Sequence, residues 1–265
     1  MPPFREPPTQ RFERVANFRD LGGHTTREGR RVPSGRLFRS GHLGHASDDD
    51  VEQLASLGLR RVFDFRTLAD IEHDGPDRLP PSVEHLRLPM PDPAGGQDLR
   101  SLIQESGPDV IQEMFGNGRA AEWMRRSAAG LVRERREPYA EFLTELARPG
   151  SVPALFHCSA GKDRAGWAGS LVLLTLGVEE EQVVEQYLLS NRETERIRER
   201  LRSAAVADAE KFSDLLEPLL AVHPDYIDAS FRAMHEDWGD FDRYLHEGLG
   251  ISEEQRGQLQ ASLLE

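Results

Sequence analysis

A single cysteine, Cys158, stands six positions before an arginine, Arg164, in a short polar stretch of the chain. The small residues Ser159, Ala160 and Gly161 follow the cysteine, so the backbone there can turn tightly. Successive backbone N–H groups of a loop that closes onto the start of a helix can point at one centre and bind a tetrahedral anion. The stretch therefore predicts a phosphate-binding loop in which the sulfur faces the phosphorus.

The chemistry expected of this loop is phosphoryl transfer to sulfur. Arg164 is expected at the start of the following helix, where its planar guanidinium can hold two phosphate oxygens. The dipoles that bind a phosphate also favour a thiolate, so we expect Cys158 to act as a nucleophile at neutral pH. Attack on a phosphate ester would give a phosphocysteine that water then hydrolyses. The predicted phosphate-binding residues are Ser159, Ala160, Gly161, Lys162, Asp163 and Arg164.

Other interpretations of the loop account for fewer of its residues. A lone cysteine can be a small buried hydrophobe, but that interpretation does not account for the polar residues around it, such as His157 and Asp163. A nucleotide-binding P-loop would need Ser or Thr after Lys162 and Gly five positions before Gly161. The chain has Asp163 and Phe156 at those positions, so a nucleotide P-loop is excluded.

The segment His157-Cys158-x5-Arg164 resembles the signature of the cysteine-dependent tyrosine phosphatase superfamily. Its Gly-Lys-Asp-Arg form, together with Asn-Phe-Arg-Asp-Leu-Gly-Gly at 17–23, is similar to the bacterial branch typified by mycobacterial protein tyrosine phosphatase B. Shorter matching segments lie at 37–41, 64–67 and 244–250. The resemblance therefore extends over nearly the whole chain, and it is weakest in the middle.

The resemblance implies which residue protonates the leaving oxygen. Many superfamily members use an aspartate on a separate Trp-Pro-Asp loop, and that tripeptide is absent here. Asp163 inside the loop is the first candidate, and Asp92 in a Pro-flanked hinge is the second. Ser or Thr commonly follows the loop arginine in the superfamily, whereas this chain has Ala165, which predicts slow breakdown of the phosphoenzyme.

The expected substrates are phosphorylated proteins and phosphoinositides. The chain has 31 arginines and only two lysines, so a lysine at position 162 suggests a need for a compact ammonium there. Positive charge beside the scissile phosphate suits multiply phosphorylated inositol lipids, and the relatives act on both substrate classes. The alternative is a catalytically impaired, phosphate-binding pseudophosphatase, because Ala165 departs from the family pattern.

Neither a metal nor a cofactor is expected for catalysis, because donors already in the loop supply the charge stabilisation. His42 and His45 precede three acidic residues at 48–50, but those acids better serve the dipole of a helix that begins there. The histidines also lack a cluster of further ligands. No metal site is therefore predicted from the sequence.

Composition and charge place the chain among acidic globular proteins. The 265 residues carry a net charge of −13, which argues against nucleic acid or an anionic membrane as a general partner. No apolar run approaches the roughly 20 residues of a membrane span, and the N-terminus has no signal-peptide pattern. We expect a cytoplasmic protein, while the resemblance leaves open export without a cleaved signal; the sequence gives no oligomeric state.

The pattern of apolar residues predicts an α/β fold with a central, mostly parallel sheet flanked by helices. Expected strands lie at 36–39, 61–65, 85–89 and 154–156, and Ser47 with Asp50 predicts a helix cap between the first two. We expect one phosphatase domain over residues 1–265. Its predicted parts outside the sheet are a loose arm at 1–10, a helical lid insertion at about 97–135 and a helical tail at about 178–265.

Three further residues are predicted to support the site. Asp64 and Arg66 stand at the carboxyl end of a predicted strand, where open α/β sheets bind ligands. An ion pair that fixes a loop is an equally good interpretation of these two. His157, directly before Cys158, is expected to orient the strand end and support the thiolate rather than act as a base.

Overall fold

A computed structural model describes residues 11–91, 108–192 and 217–265 of the chain. Its sheet has the strand order β1-β2-β5-β3-β4, in which β1 is antiparallel to β2 and the other neighbours are parallel. The strands are β1 (Arg19–Asp20), β2 (Leu37–Ser40), β3 (Arg61–Asp64), β4 (Glu84–Arg87) and β5 (Ala154–His157). The predicted α/β fold with a mostly parallel sheet is confirmed.

The strand that leads to Cys158 lies at the centre of this sheet. The sequence pattern predicts a strand, helix, strand unit from residue 36 to residue 65, and such strands are often neighbours. In the structure β5 separates β2 from β3 and pairs with both. The loop that follows β5 is therefore flanked by the ends of β2 and β3.

Side chains of the central strands alternate between two buried cores, as the period of two in a strand requires. One core includes Leu37, Phe63 and Phe156. The other includes Phe38, Val62 and Leu155. Because both faces of the sheet are covered, the central strands are short runs of mainly apolar residues.

The helices are α1 (Asp48–Ser56), α2 (Leu68–Asp74), α3 (Pro108–Phe115), α4 (Arg119–Glu134), α5 (Arg136–Ala147), α6 (Arg164–Thr175), α7 (Glu180–Leu188), α8 (Pro224–Trp238) and α9 (Glu253–Leu263). A helical turn at Phe241–Arg243 runs into a short π-helix at Tyr244–Gly248. The predicted cap of α1 by Ser47 is present as a capping box, and Ser252 caps α9 in the same way. None of these helices is long and apolar enough to cross a membrane.

The predicted lid insertion is only partly among the described residues. Its described part forms α3 and α4, and Ile111 and Met124 from these helices pack with Leu219 and Tyr226 of the tail in a small apolar core. A role as a mobile cover stays a prediction. The predicted arm at 1–10, the first part of the insertion and Asp92 lie outside the described residues.

Candidate active site

The predicted strand, loop and helix around Cys158 are present. β5 ends at His157 and α6 begins at Arg164, so the loop consists of residues 158–163. Helix α6 is buried from Ala165 to Thr175, which fixes its position against the sheet. Cys158 is 3% exposed and borders the larger of the two cores. The loop is thus held at the carboxyl edge of the sheet, where parallel α/β folds bind ligands.

Four successive carbonyl groups of the loop, those of residues 159–162, accept hydrogen bonds from outside the loop. The His42 amide donates to the Ser159 carbonyl at 2.9 Å. Asn17 Nδ2 donates to the carbonyls of Ala160 at 3.0 Å and Gly161 at 2.9 Å. Arg39 Nη2 donates to the carbonyls of Gly161 at 2.7 Å and Lys162 at 3.1 Å. A trans peptide places its N–H opposite its C=O. The amides of residues 160–163 therefore point to the other side, as an anion cradle requires.

Two residues of the predicted 17–23 and 37–41 segments supply most of these donors. Arg39 is fully buried, and burial lowers its pKa to about 10, so it is still a cation at neutral pH. Asn17 adopts a left-handed backbone (φ +56°), and its Oδ1 accepts a 2.5 Å hydrogen bond from Arg19 Nη1. The segments that resemble the phosphatase family thus contact the loop at 158–163 on its carbonyl side.

Gly161 cannot be replaced without moving the loop. Its φ is +68°, and a Cβ on it would lie 2.3 Å from the carbonyl oxygen of Ser40. Ser40 ends β2, so glycine lets the loop pack directly against a neighbouring strand. This close approach explains a glycine at the third position after Cys158.

Arg164 and Ser159 converge on a carboxylate that the sequence analysis did not identify, that of Asp70. Arg164 Nη1 donates to Asp70 Oδ2 at 2.7 Å, and Ser159 Oγ donates to Asp70 Oδ1 at 3.0 Å. Arg164 also donates to the carbonyl oxygens of Phe65 and Met90. We call Asp70, Ser159 and Arg164 the loop cluster.

Asp70 is an anion in this arrangement. Burial alone would raise its pKa, but hydrogen bonds and charge from Arg164, together with bonds from Thr67, hold the pKa well below its usual range. Thr67 and Asp70 form the capping box that begins α2. The spacing of these two residues was a readable sequence signal for a cap, but not for contact with a loop some 90 residues away.

Asp163 and Lys162, both predicted to bind phosphate, face the helical part of the molecule. The Asp163 side chain is 33% exposed and lines a narrow crevice with Trp167 and Tyr187. Lys162 is buried, and its Nζ donates to the carbonyl oxygen of Leu219 at 2.5 Å and lies 3.5 Å from the Asp163 carboxylate. A direct contact between this ammonium and a phosphate therefore requires the side chain to leave Leu219.

The three residues predicted to support the site belong to a separate group at the carboxyl ends of the strands. We call Asp64, Arg66, Asp77, His85 and His157 the strand-end cluster. Arg66 pairs with Asp64 at 3.0 Å and with Asp77 at 2.7 Å, and all three side chains are 0% exposed. The ion pair that fixes a loop is the interpretation that this geometry fits. His157 Nδ1 lies 3.3 Å from the Cys158 carbonyl oxygen, and its support of the thiolate stays a prediction.

Comparison with known proteins gives consistent matches over nearly the whole chain. The sequence profile of the tyrosine phosphatase family matches residues 10–265. A Cupriavidus necator protein named as a tyrosine-protein phosphatase is 33% identical over 91% of this chain and 84% of its own length. The triple specificity protein phosphatase PtpB of Mycobacterium tuberculosis is 28% identical over 94% of this chain and 96% of its own. A tyrosine-protein phosphatase of Nostoc commune is 27% identical over 88% of this chain and 75% of its own.

Proposed function

From the premise that this chain belongs to the tyrosine phosphatase family, we propose that it hydrolyses phosphate monoesters through a phosphocysteine at Cys158. Membership of the family supports a phosphatase activity; the intermediate and the residue roles are our proposal. The observation that carries it is the set of four loop carbonyls bonded outward. Their amides are left to face an anion at the helix start, where Arg164 stands.

The proposed first step forms a sulfur–phosphorus bond and breaks the ester bond. The loop amides and Arg164 hold the phosphoryl oxygens while the thiolate of Cys158 attacks the phosphorus in line with the leaving oxygen. A proton from Asp163 goes to that oxygen as it leaves. In the second step, water attacks the phosphorus, the sulfur–phosphorus bond breaks to regenerate the Cys158 thiolate, and Asp163 takes back a proton from that water as phosphate is released. No co-reactant other than water is needed.

Asp70 is proposed as a positioning residue and not as the acid. Its carboxylate accepts hydrogen bonds from Arg164 and Ser159, and its depressed pKa leaves it without a proton to donate near neutral pH. It fixes the plane of the guanidinium before substrate arrives. A phosphate that enters the cradle competes with this carboxylate for the same donors.

The acid is assigned to Asp163, with Asp92 as the alternative. Asp163 is the last loop residue, directly before α6, and its side chain is one third exposed, so we expect it to exchange protons with a bound ester and with water. The pH dependence of kcat in Asp163→Asn and Asp92→Asn distinguishes them. Asp163→Asn is expected to lose the limb of the pH profile that reports the acid; if only Asp92→Asn loses it, the assignment is wrong.

We propose phosphotyrosine and phosphoinositide substrates for this site. The printed name of the M. tuberculosis relative, a triple specificity phosphatase, supports a site that accepts more than one class of phosphate ester. Lys162 would add charge for a multiply phosphorylated headgroup if its Nζ exchanges the Leu219 carbonyl for a phosphate. Lys162→Ala should then lower kcat/KM for phosphoinositides more than for phosphotyrosine peptides; an equal loss on both would refute that role.

A chromogenic aryl phosphate tests the proposed activity most simply. The wild-type protein should release the aryl alcohol, and Cys158→Ser should reduce the rate to background because a neutral hydroxyl replaces the thiolate. The pseudophosphatase alternative, suggested by Ala165, predicts phosphate or vanadate binding without turnover in the wild type. Turnover that persists in Cys158→Ser would overturn the proposed role of the cysteine.

A further inference from the structure

We infer that the strand-end cluster is a binding site for a divalent transition-metal ion of the zinc class. The ligands would be His85 Nε2, His157 Nε2 and one oxygen of Asp77, with Asp64 or a water at the fourth corner. These residues come from β4, β5, β3 and the segment between α2 and β4, which meet at one edge of the sheet. The site is separate from the phosphate cradle, and the proposed hydrolysis does not use it.

The distances between the candidate ligand atoms fit a tetrahedral site. Asp77 Oδ2 lies 3.0 Å from His157 Nε2 and 3.3 Å from His85 Nε2, and His85 Nε2 lies 3.8 Å from Asp64 Oδ2. Each of the four residues offers one nitrogen or oxygen atom such that these atoms lie within 4.8 Å of one another. A tetrahedron with metal–ligand bonds of about 2.0–2.1 Å has edges of about 3.3 Å. The side chains therefore need only small movements to hold one ion.

The closest of these contacts has poor geometry for a hydrogen bond, although the two groups attract each other electrostatically. Asp77 Oδ2 and His157 Nε2 are both buried and are 3.0 Å apart, yet neither atom makes a hydrogen bond of acceptable geometry. Buried polar atoms are normally satisfied, and exceptions at a short distance call for a physical reason. A cation bound between the two atoms would satisfy both, because each would direct a lone pair at the metal and not at the other atom.

The second oxygen of Asp77 and the second ring nitrogen of His157, which would face away from the ion, have polar partners, as the outer atoms of metal ligands usually do. Asp77 Oδ1 accepts a hydrogen bond from the Leu43 amide at 3.0 Å and forms an ion pair with Arg66 at 2.7 Å, which leaves Oδ2 for the ion. His157 Nδ1 lies 3.3 Å from the Cys158 carbonyl oxygen. Such outer bonds orient a ligand and select the nitrogen that faces the metal. Asp64 holds Arg66 with both oxygens, so it is the weakest of the four candidates.

Charge and access are also compatible with a divalent ion. With both imidazoles neutral, the two carboxylates and the guanidinium give the strand-end cluster a net charge of −1. A bound divalent ion would change that charge to +1. The side chains of Asp77 and His157 are 0% exposed, whereas that of His85 is 31% exposed. An ion can therefore enter past His85. Nitrogen and oxygen donors without sulfur suit zinc, cobalt or nickel more than copper(I).

The test measures metal binding by the full chain without any turnover. The protein is stripped with a chelator and titrated with ZnCl₂ by calorimetry, and the visible spectrum of the Co²⁺ form is recorded. We expect one equivalent to bind, with tetrahedral Co²⁺ bands and no sulfur-to-metal charge-transfer band. His85→Gln should weaken zinc binding at least tenfold, and Asp77→Asn should do the same. At a free zinc concentration a hundred times the dissociation constant, the melting temperature should rise by about 5–10 °C.

Two control variants separate this site from other ways to bind zinc. His223→Gln alters a surface histidine whose Nε2 lies 3.1 Å from Glu217, and it should bind zinc as the wild type does. Cys158→Ser should also retain binding, because the thiol is not a proposed ligand. The inference is overturned if binding disappears in Cys158→Ser, if His85→Gln binds as tightly as the wild type, or if the stripped protein binds no zinc. These results are independent of phosphatase activity, so they do not depend on the proposed function.

Discussion

Two clusters of arginine and aspartate flank Cys158, and they differ in access to solvent. In the loop cluster, the side chains of Arg164 and Asp70 are 15% and 16% exposed. In the strand-end cluster, those of Arg66 and Asp64 are 0% exposed. His157 of one cluster and Ser159 of the other are separated by Cys158 alone. The same pair of residue types therefore serves two purposes on the two sides of one cysteine.

The difference in access determines what each ion pair can do. A guanidinium near the surface can exchange a carboxylate for a phosphate at little cost, because solvent and the incoming anion replace the lost partner. A fully buried pair cannot be separated without leaving an uncompensated charge, which costs several kcal/mol. We therefore expect damage to the loop cluster to reduce catalysis, and damage to the strand-end cluster to reduce stability.

Matched arginine substitutions should show the largest effect. Arg164→Met removes a cation from the cradle, so kcat should fall by about 10²–10³-fold or more, while most of the fold is retained. Arg66→Met leaves Asp64 and Asp77 buried without their cation, which should cost about 3–5 kcal/mol of unfolding free energy. Urea unfolding and aryl phosphate kinetics on both variants measure the two effects. If the folded protein of both variants loses kcat equally, the loop cluster is not specific to catalysis and the strand-end cluster is not specific to stability.

Asp70→Asn should separate kcat from substrate binding. Loss of the carboxylate loosens the guanidinium of Arg164, so kcat should fall by about 10–100-fold. Loss of its negative charge also removes a competitor of the phosphate, so the inhibition constant of inorganic phosphate should fall. Steady-state kinetics with phosphate as a competitive inhibitor measure both quantities. If kcat and phosphate affinity both stay at wild-type values, Asp70 does not position the arginine.

Particular residues show how much of this could be predicted from the sequence. The strand before Cys158, the helix after it and the cap at Ser47 follow from local patterns, and all of them are present. Asp70 was missed because its link to the loop is a tertiary contact, and locally it reads only as a cap. Local sequence patterns carry no information about such contacts.

The strand order and the orientation of the Lys162 side chain could not be predicted from the sequence for the same reason. A pattern of apolar residues marks β2 and β3 but does not reveal that β5 lies between them. Lys162 stands in the phosphate-binding loop by sequence, yet its ammonium is bonded to a carbonyl of the helical tail. Which partner a flexible side chain takes depends on segments that pack beside it, and these come from elsewhere in the chain.

Acid should weaken the protein partly through the loop cluster. The folded-state pKa of Asp70 is held below its unfolded value, so its ion pair adds stability above pH ~4 that is lost as pH falls below that value. Asp70→Asn should therefore lose less stability between pH 5 and the acid limit of folding. Urea unfolding across that range measures the slope.

An exposed aspartate provides the control for that slope. Asp237 also has a lowered pKa, because of its hydrogen bond to Arg133, but its side chain is 36% exposed. Solvent screens such a pair, so Asp237→Asn should change the acid slope less than Asp70→Asn does. The opposite order would contradict the role given to Asp70.

Ala165→Thr should have the smallest effect, a rise of a few-fold in turnover. Ala165 is fully buried in the first turn of α6, where a hydroxyl could donate to the departing sulfur. Ala165→Val adds similar volume without a hydroxyl and serves as the control. Turnover is measured with an excess of aryl phosphate. A threonine variant no faster than the valine variant would show that the hydroxyl does not limit the rate.

The most direct test of the proposed mechanism is the mass of the protein quenched with acid during turnover of an aryl phosphate. Because Ala165 is expected to slow hydrolysis of the intermediate, a large fraction of the wild-type protein should gain the mass of one phosphoryl group. Peptide mapping should place that group on Cys158, and Cys158→Ser should not turn over. Steady turnover by the wild type with no phosphorylated protein, or with the group on another residue, would contradict the account.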